Sequence, residues 1–404
     1  MTQQTISRDH GFTAYLPGRP GYDEHRAQPF NPALDARPAL VARAFTAHDV
    51  RMAVLEAHER GLPLAVQSTG HGTHVPADGG VLLKTTDMSG VRVDPHRRVA
   101  KVGPGARWAD VLAAAAPYGL APLSGSSPTV GVTGYTLGGG LGWLARRYGF
   151  AADSVLAAQV VTADGRIVTA DAEHHPELFW ALRGGGGNFG VVTSLEFELH
   201  PVGQVCAGLL TFAVTDAAEQ LAAYRDWAAG LPPELSTAAV LTPDRTLVIK
   251  AMGEVGGTRA PVAALTRRLG PVLDGELRDV PYASAAMGGT PARTLELYDS
   301  LPDAVVEAAA AVGDAAVEVR HWGGALAERG PDDAPVSHRG TEFTVIVAKP
   351  VALPYATGRS FLNFLADPAR AHRAFTAGNF ERLRAVKRIW DPANLFRLNL
   401  NIQP

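Results

Sequence analysis

Three glycine-dense segments in the first half of the chain constrain its fold more than any other feature. The first, Gln67-Ser-Thr-Gly-His-Gly-Thr-His74, follows the apolar run Leu62-Pro-Leu-Ala-Val66 and sets His71 between Gly70 and Gly72. The second is Gly131-Val-Thr-Gly-Tyr-Thr-Leu-Gly-Gly-Gly-Leu-Gly142, and the third is Arg183-Gly-Gly-Gly-Gly-Asn-Phe-Gly190. Glycine lets the backbone bend sharply and lets a ligand approach the main chain closely. An imidazole held between two glycines can serve as base, metal ligand or nucleophile. Singly, each run reads as a tight turn. Together, within about one domain length, they imply one large ligand with a phosphate-bearing part.

Other phosphate-binding schemes fit poorly. Gly138–Gly142 lacks the spacing and the strand–helix context of a nicotinamide fingerprint. No loop ends in Gly-Lys-Ser or Gly-Lys-Thr, and no Gly-x-Ser-x-Gly elbow is present. With 404 residues, 46% of them hydrophobic, the chain can build two or three domains with a sizeable core. A net charge of −3 without a basic run gives no reason to expect nucleic acid. The single cysteine, Cys206, cannot form an internal disulfide, and no metal site is expected because His71 and His74 have no third ligand at suitable spacing. Met1–His10 lacks the apolar core of a signal peptide, and no run is long enough to span a bilayer. The expectation is a soluble cytoplasmic protein with no membrane partner, its oligomeric state undetermined.

The pattern of elements is α+β. Val50, Ala53, Val54 and Ala57 recur at helical spacing over 46–61, with Gly61 suited to the position after the end. Strands are expected at 64–66, 81–83, 99–102 and 191–199, and a helix at 108–116. A hairpin is expected across Ala163-Asp-Gly-Arg166, and Pro176 suits the first turn of a short helix to Leu182. His200-Pro-Val-Gly203 reads as a boundary. Beyond it, strands at 209–214, 238–241, 247–252, 317–322 and 343–348 alternate with helices near 217–229, 259–269 and 303–312. This predicts an antiparallel sheet covered by helices on one face. The segment Glu328 to Arg339 reads as a surface loop. From about 356 the chain is expected to return to the first domain and end in a helix near 379–388.

In order and spacing, these segments resemble the flavin domain of the vanillyl-alcohol oxidase / p-cresol methylhydroxylase superfamily. The nearer resemblance is to its berberine bridge enzyme-like branch in a bacterial form. It starts near Arg37-Pro-Ala-Leu-Val41, runs past Phe197-Glu-Leu-His-Pro201, and resumes at Phe361-Leu-Asn-Phe364. It includes Asn379 to Phe396 and the closing Asn401-Ile-Gln-Pro404. The resemblance implies a two-domain flavin oxidoreductase. Residues 1–202 would form an FAD-binding domain of the p-cresol methylhydroxylase type with two subdomains, 203–355 a substrate-binding domain, and 356–404 the return to the FAD domain.

It also implies a site. His71, with Thr69, Gly70 and Gly72, would bond FAD covalently at the flavin 8α-methyl carbon. The turn through Ser127, Thr129, Val130 and Gly131, then Gly134, Gly138, Gly139 and Gly142, would cradle the cofactor. Gly187, Asn188, Gly190 and Val191 would form a second flavin loop whose Asn side chain meets the ribityl or pyrophosphate part. Asn363 and Asn399 would add contacts from the C-terminal return. Ser127 stands where bicovalent relatives carry a cysteine, so a single link through His71 is implied, since a hydroxyl does not readily replace that thiolate. Phe361 stands where relatives often carry a tyrosine base, and it has no ionisable group.

The catalytic candidates are therefore His321, Glu342 and Tyr355. In Glu318-Val-Arg-His-Trp322, alternation places His321 with Val317 and Val319 on one face and Arg320 with Glu318 and Trp322 on the other. His321 is expected either to face the substrate or to be a hydrogen-bonded core histidine. The implied function is an oxidase. It would take hydride from a C–H next to oxygen or nitrogen of a small molecule to flavin N5, and molecular oxygen would be reduced to hydrogen peroxide. Alcohols, sugars, amines and secondary-metabolite intermediates are the substrate classes. The alternative is a flavin-binding protein without redox turnover that sequesters or cyclises a natural product.

Overall fold

The computed structural model describes residues 12–330 and 332–404. Met1–His10, read above for the absence of a signal peptide, lies outside them. Sixteen strands form three sheets among the described residues. The first contains β1 (Thr13–Tyr15), β2 (Leu40–Arg43), β3 (Leu64–Gln67) and β4 (Val81–Lys84), in the order β1-β2-β4-β3. Its β4 runs parallel to both β2 and β3. The crossover from β2 to β3 is the helix Ala47–Glu59, which starts in a Thr46/Asp49 capping box. That helix buries Val50, Ala53, Val54 and Ala57, the face its spacing predicts. The α+β chain thus contains one βαβ unit that the sequence pattern did not reveal.

The second sheet comprises β5 (Val91–Asp94), β6 (Val99–Val102), β7 (Val155–Val161), β8 (Ile167–Asp171) and β9 (Val191–Glu198), in the order β5-β6-β9-β7-β8. Its strands pair antiparallel, and the β7–β8 hairpin turns at Gly165, where φ is +79°. The third contains β10 (Gln204–Ala213), β11 (Ser236–Leu241), β12 (Thr246–Gly253), β13 (Arg278–Pro281), β14 (Thr294–Tyr298), β15 (Val317–His321) and β16 (Phe343–Val347). Its order is β13-β10-β12-β11-β15-β16-β14, antiparallel throughout.

One face of this sheet, through Ile249, Ala239, Val317, Val319, Phe343 and Val345, packs on helices Ala217–Ala228, Arg259–Leu269 and Asp303–Ala310. A helix-covered face must be apolar, because backbone and side chains there lose water together. Strands β13 and β14, which the sequence reading did not include, are the two edge strands of this sheet.

The C-terminal segment packs back on the first two sheets. Leu383, Val386 and Ile402 join the core of the second, while Leu395 and Phe396 join that of the first. The helix there spans Ala377–Trp390, longer than expected at both ends. The expected surface loop from Glu328 to Arg339 is corrected in its second half. Ala334, Val336, Ser337 and Arg339 are buried. Val336 fills space left by Gly139 and Gly184, and Arg339 donates to Asp153 at 2.7 Å in a buried ion pair. The Pro and Asp content signals a loop, but the empty volume at two glycines pulls that loop inward.

Candidate active site

A cavity of about 550 Å³ lies between the three glycine segments and the bare face of the third sheet. Strand β3 delivers the first segment to it. Gln67, at the strand end, is held by Lys84, Gln28 and Thr73. Burial, then the nearby Arg43, pulls the Lys84 ammonium down to about 8. Gly70 takes φ +88°, and a Cβ there would meet the ring of Pro29 at 3.2 Å, so the turn that presents His71 requires glycine. The imidazole has Nε2 at 3.1 Å from the Thr129 hydroxyl and Nδ1 at 3.4 Å from that of Thr69. Burial, then the charge of Arg107, holds it below its ordinary value. The ring is neutral at pH 7, the form in which a nitrogen is nucleophilic. Ser127 lies 3.0 Å from Thr129 and lines the cavity.

The second and third segments are tied to the C-terminal return. A Cβ on Gly138 would strike the Asn363 amide at 2.7 Å. Asn363 accepts from Gly140 N at 2.9 Å and donates to the Tyr135 carbonyl at 2.9 Å. Asn188 donates to Gly185 O and Leu400 O and accepts from Ile402 N. Its amide hydrogens are therefore committed within the protein, and the expected side-chain contact with a ribityl or pyrophosphate group has no free donor. The sequence could not show this, because two of the three partners, Leu400 and Ile402, lie more than two hundred residues away in the chain. Asn399 Nδ2 donates to Gly187 O at 3.0 Å. Below them Lys387, fully buried, donates to Asn188 O at 2.8 Å and to Asp391 at 2.6 Å.

These walls suit a dinucleotide. Among the described residues, Thr85 Oγ1, Thr133 Oγ1 and Asn399 Oδ1 are buried at the cavity without a hydrogen-bond partner. Orphaned polar atoms of this kind await a polar ligand. Gly134 meets nothing within 4 Å where a Cβ would stand, and Gly187 meets only the Asn399 amide at 4.0 Å. The main chain is thus open to a bulky group on that side.

A family model described as "FAD binding domain" matches residues 38–171, and one described as "Berberine and berberine like" matches residues 360–403. The (R)-6-hydroxynicotine oxidase of Paenarthrobacter nicotinovorans is 30% identical over 430 residues, spanning 91% of this chain and 92% of that protein. The chain belongs to the berberine and berberine-like family. It is an FAD-dependent oxidoreductase.

The crystal structure of 6-hydroxy-D-nicotine oxidase from Arthrobacter nicotinovorans superposes with a TM-score of 0.84 at 26% identity, covering 100% of each chain. Glucooligosaccharide oxidase from Acremonium strictum, described as carrying a 6-S-cysteinyl, 8α-N1-histidyl FAD, shares the fold. Its TM-score is 0.83 at 22% identity over 98% of this chain and 97% of that one.

In this berberine-like oxidoreductase, the cofactor residues expected from the sequence gather at one cavity, with three departures. Thr129 reaches it only through His71. Gly139 packs on Phe361, and Gly142 packs on the Ser124 carbonyl, so neither lines it. None of the three catalytic candidates lines the cavity. Tyr355 is 68% exposed, and Glu342 is exposed with its carbonyl accepting from Trp322 N. His321 stacks on Phe343 and lies 3.0 Å from Arg146, on the helix-covered side. Burial, then Arg146, pulls its imidazole down to about 3.

Alternation gave the right parity, and of the two placements open to His321 the structure shows the core one, beside Arg146. Val317 and Val319 belong under the helices, and His321 goes with them. Glu318 and Arg320 look into the cavity. A charged pair inside a strand was the available signal, repeated by Lys250 within the apolar run Leu247–Met252. Phe361 sits with Phe150 and Trp322 in an aromatic cluster and is likewise absent from the cavity wall.

Proposed function

We propose that this protein is an oxidase of small molecules, with FAD bonded once, through His71, and substrate lying between the glycine loops and the Glu318/Arg320 face of the third sheet. FAD, when bound, supplies a hydride acceptor that dioxygen can reoxidise. The carrying observation is the continuity of the cavity: one wall is the cofactor cradle, the other is the charged sheet face. On this reading the segments up to 202 and from 356 hold the cofactor, and 203–355 holds the substrate.

Arg320, held by Glu318, orients the substrate from one side, and Ile346, Leu362 and Phe364 exclude water around its apolar body. Amines, alcohols, short sugars and intermediates of secondary metabolism are the substrate classes of this reading. The relative named as a hydroxynicotine oxidase supports a C–H beside nitrogen as the first class to test. The lone, buried Cys206 needs no oxidising compartment, which supports a cytoplasmic setting.

The test is anaerobic mixing of the yellow holoprotein with candidate amines, alcohols and sugars. Bleaching of the flavin spectrum, followed by peroxide release on admitting air, is the expected result. A spectrum unmoved by every class would overturn the reading.

A further inference from the structure

The cavity wall opposite the glycine loops is built around one carboxylate and two cations. Glu318 is fully buried, and each of its oxygens contacts a cation. Oε1 lies 2.9 Å from Arg320 Nη2, while Oε2 accepts from Thr290 at 2.8 Å and from Lys250 Nζ at 3.3 Å. Burial pushes this carboxyl up, but Arg320, Lys250 and Thr290 outweigh it and hold it below its ordinary value. Glu318 is therefore ionised and held between two cations, and a carboxylate so held is a weak proton acceptor.

Two cations against one anion leave the cluster one positive charge in excess. Lys250 spends its charge on Glu318 and does not line the cavity, whereas Arg320 does line it. Nη2 makes an ion-pair contact with Glu318, no hydrogen bond from the guanidinium is present among the described residues, and Nε is buried without a partner. The plane of the guanidinium is fixed by the Trp143 indole, 4.8 Å from its carbon. Next to Arg320 in register on β16, Thr344 also has a buried hydroxyl with no partner. An oriented, desolvated guanidinium with unmatched donors matches a planar anion.

We propose that the Arg320 end of the cavity is a subsite for an anionic oxygen group of the substrate, a carboxylate or phenolate attached to an apolar body. The apolar body would lie against Ile346 and Phe364. This rests on the reading that the cavity binds substrate, but its test needs no turnover. Phenylacetate, phenylacetamide and phenethylamine are titrated into the oxidised holoprotein, and the flavin absorbance is followed.

Phenylacetate should bind roughly tenfold to a hundredfold more tightly than the amide, the range expected of one charge-assisted bond. Arg320→Met should erase that preference while leaving the amide unchanged, and Arg320→Lys should restore part of it. FAD content and melting temperature of each variant check that it is folded. Equal binding of acid and amide, no binding of phenylacetate, or wild-type phenylacetate affinity in Arg320→Met would each overturn the subsite. A protein that shows the acid preference yet is reduced by no substrate would instead overturn the oxidase reading alone.

Discussion

At the scale of single residues, chemistry and placement separate cleanly. His71 has the chemistry of an attachment residue and also the geometry, being neutral and hydrogen-bonded by Thr129. His71→Ala should therefore release all FAD into the supernatant on acid denaturation, whereas the wild-type protein should keep it and show a single FAD adduct by intact mass. His321 has the chemistry of a base without the placement. The pH profile of anaerobic flavin reduction should be the same in His321→Gln as in the parent, and an ionisation that disappeared in the variant would contradict the geometry.

His321 and His200 have another consequence. Burial is the first cause that lowers both, to about 3 and about 4, from an ordinary value of 6.5. Arg146 adds to the effect at His321, and Arg98 and Arg147 add to it at His200. The unfolded chain then binds more protons than the folded one below pH 6.5. Stability is fully present above that pH and falls as pH drops toward 4 and 3, by on the order of 1 kcal/mol per pH unit for each histidine. Urea denaturation between pH 7 and pH 4 should show this slope, and His200→Gln should reduce it.

At the scale of elements, the decisive one is the helix Ala377–Trp390. Its Lys387 and Asp391 form an ion pair with both side chains fully buried. The same ammonium holds Asn188 O, and the same carboxylate caps Leu395 N and Phe396 N. The third glycine loop and the C-terminal strap thus share one buried charge pair. Lys387→Met leaves Asp391 uncompensated and should cost about 3–5 kcal/mol. Differential scanning calorimetry should show the loss. The variant should also bind added FAD more weakly, because the Asn188 loop loses its anchor. The periodicity of 379–388 indicated a helix, but its reach toward Asn188 depends on a contact across 199 residues.

At the scale of the whole molecule, all three sheets and the C-terminal strap meet at a single cavity whose wall holds unpaired polar atoms. The cofactor is then part of what holds the sheets together. With the covalent link removed in His71→Ala, the FAD-free protein should melt below its reconstituted form. At FAD one hundred times its Kd, the added stability is about 2.7 kcal/mol. Equal melting temperatures with and without FAD would show that the cavity is preformed and indifferent to its ligand.

What the sequence determined by itself was whatever depends on local chemistry. Glycine spacing picked out the loops that line the cavity, because glycine alone tolerates the φ of +88° at Gly70 without strain and leaves the main chain bare. Period-2 and period-3.6 patterns located the longer strands and helices because each must bury one side. The absence of a cysteine at Ser127 is a fact of composition that no folding can change. What only the tertiary structure decided was which side faces which. Alternation in Val317–His321 defines two faces but not the helices that cover one of them, so the choice of His321 over Arg320 was undetermined until those helices were seen. The same holds for Asn363, whose amide is consumed by groups far away in the chain, for Asn188, whose amide is shared between Gly185 and the distant Leu400 and Ile402, and for Val336, drawn inward by glycines far away in sequence. Long-range partners consume or free a polar group, and that accounting is settled only when the chain has closed on itself.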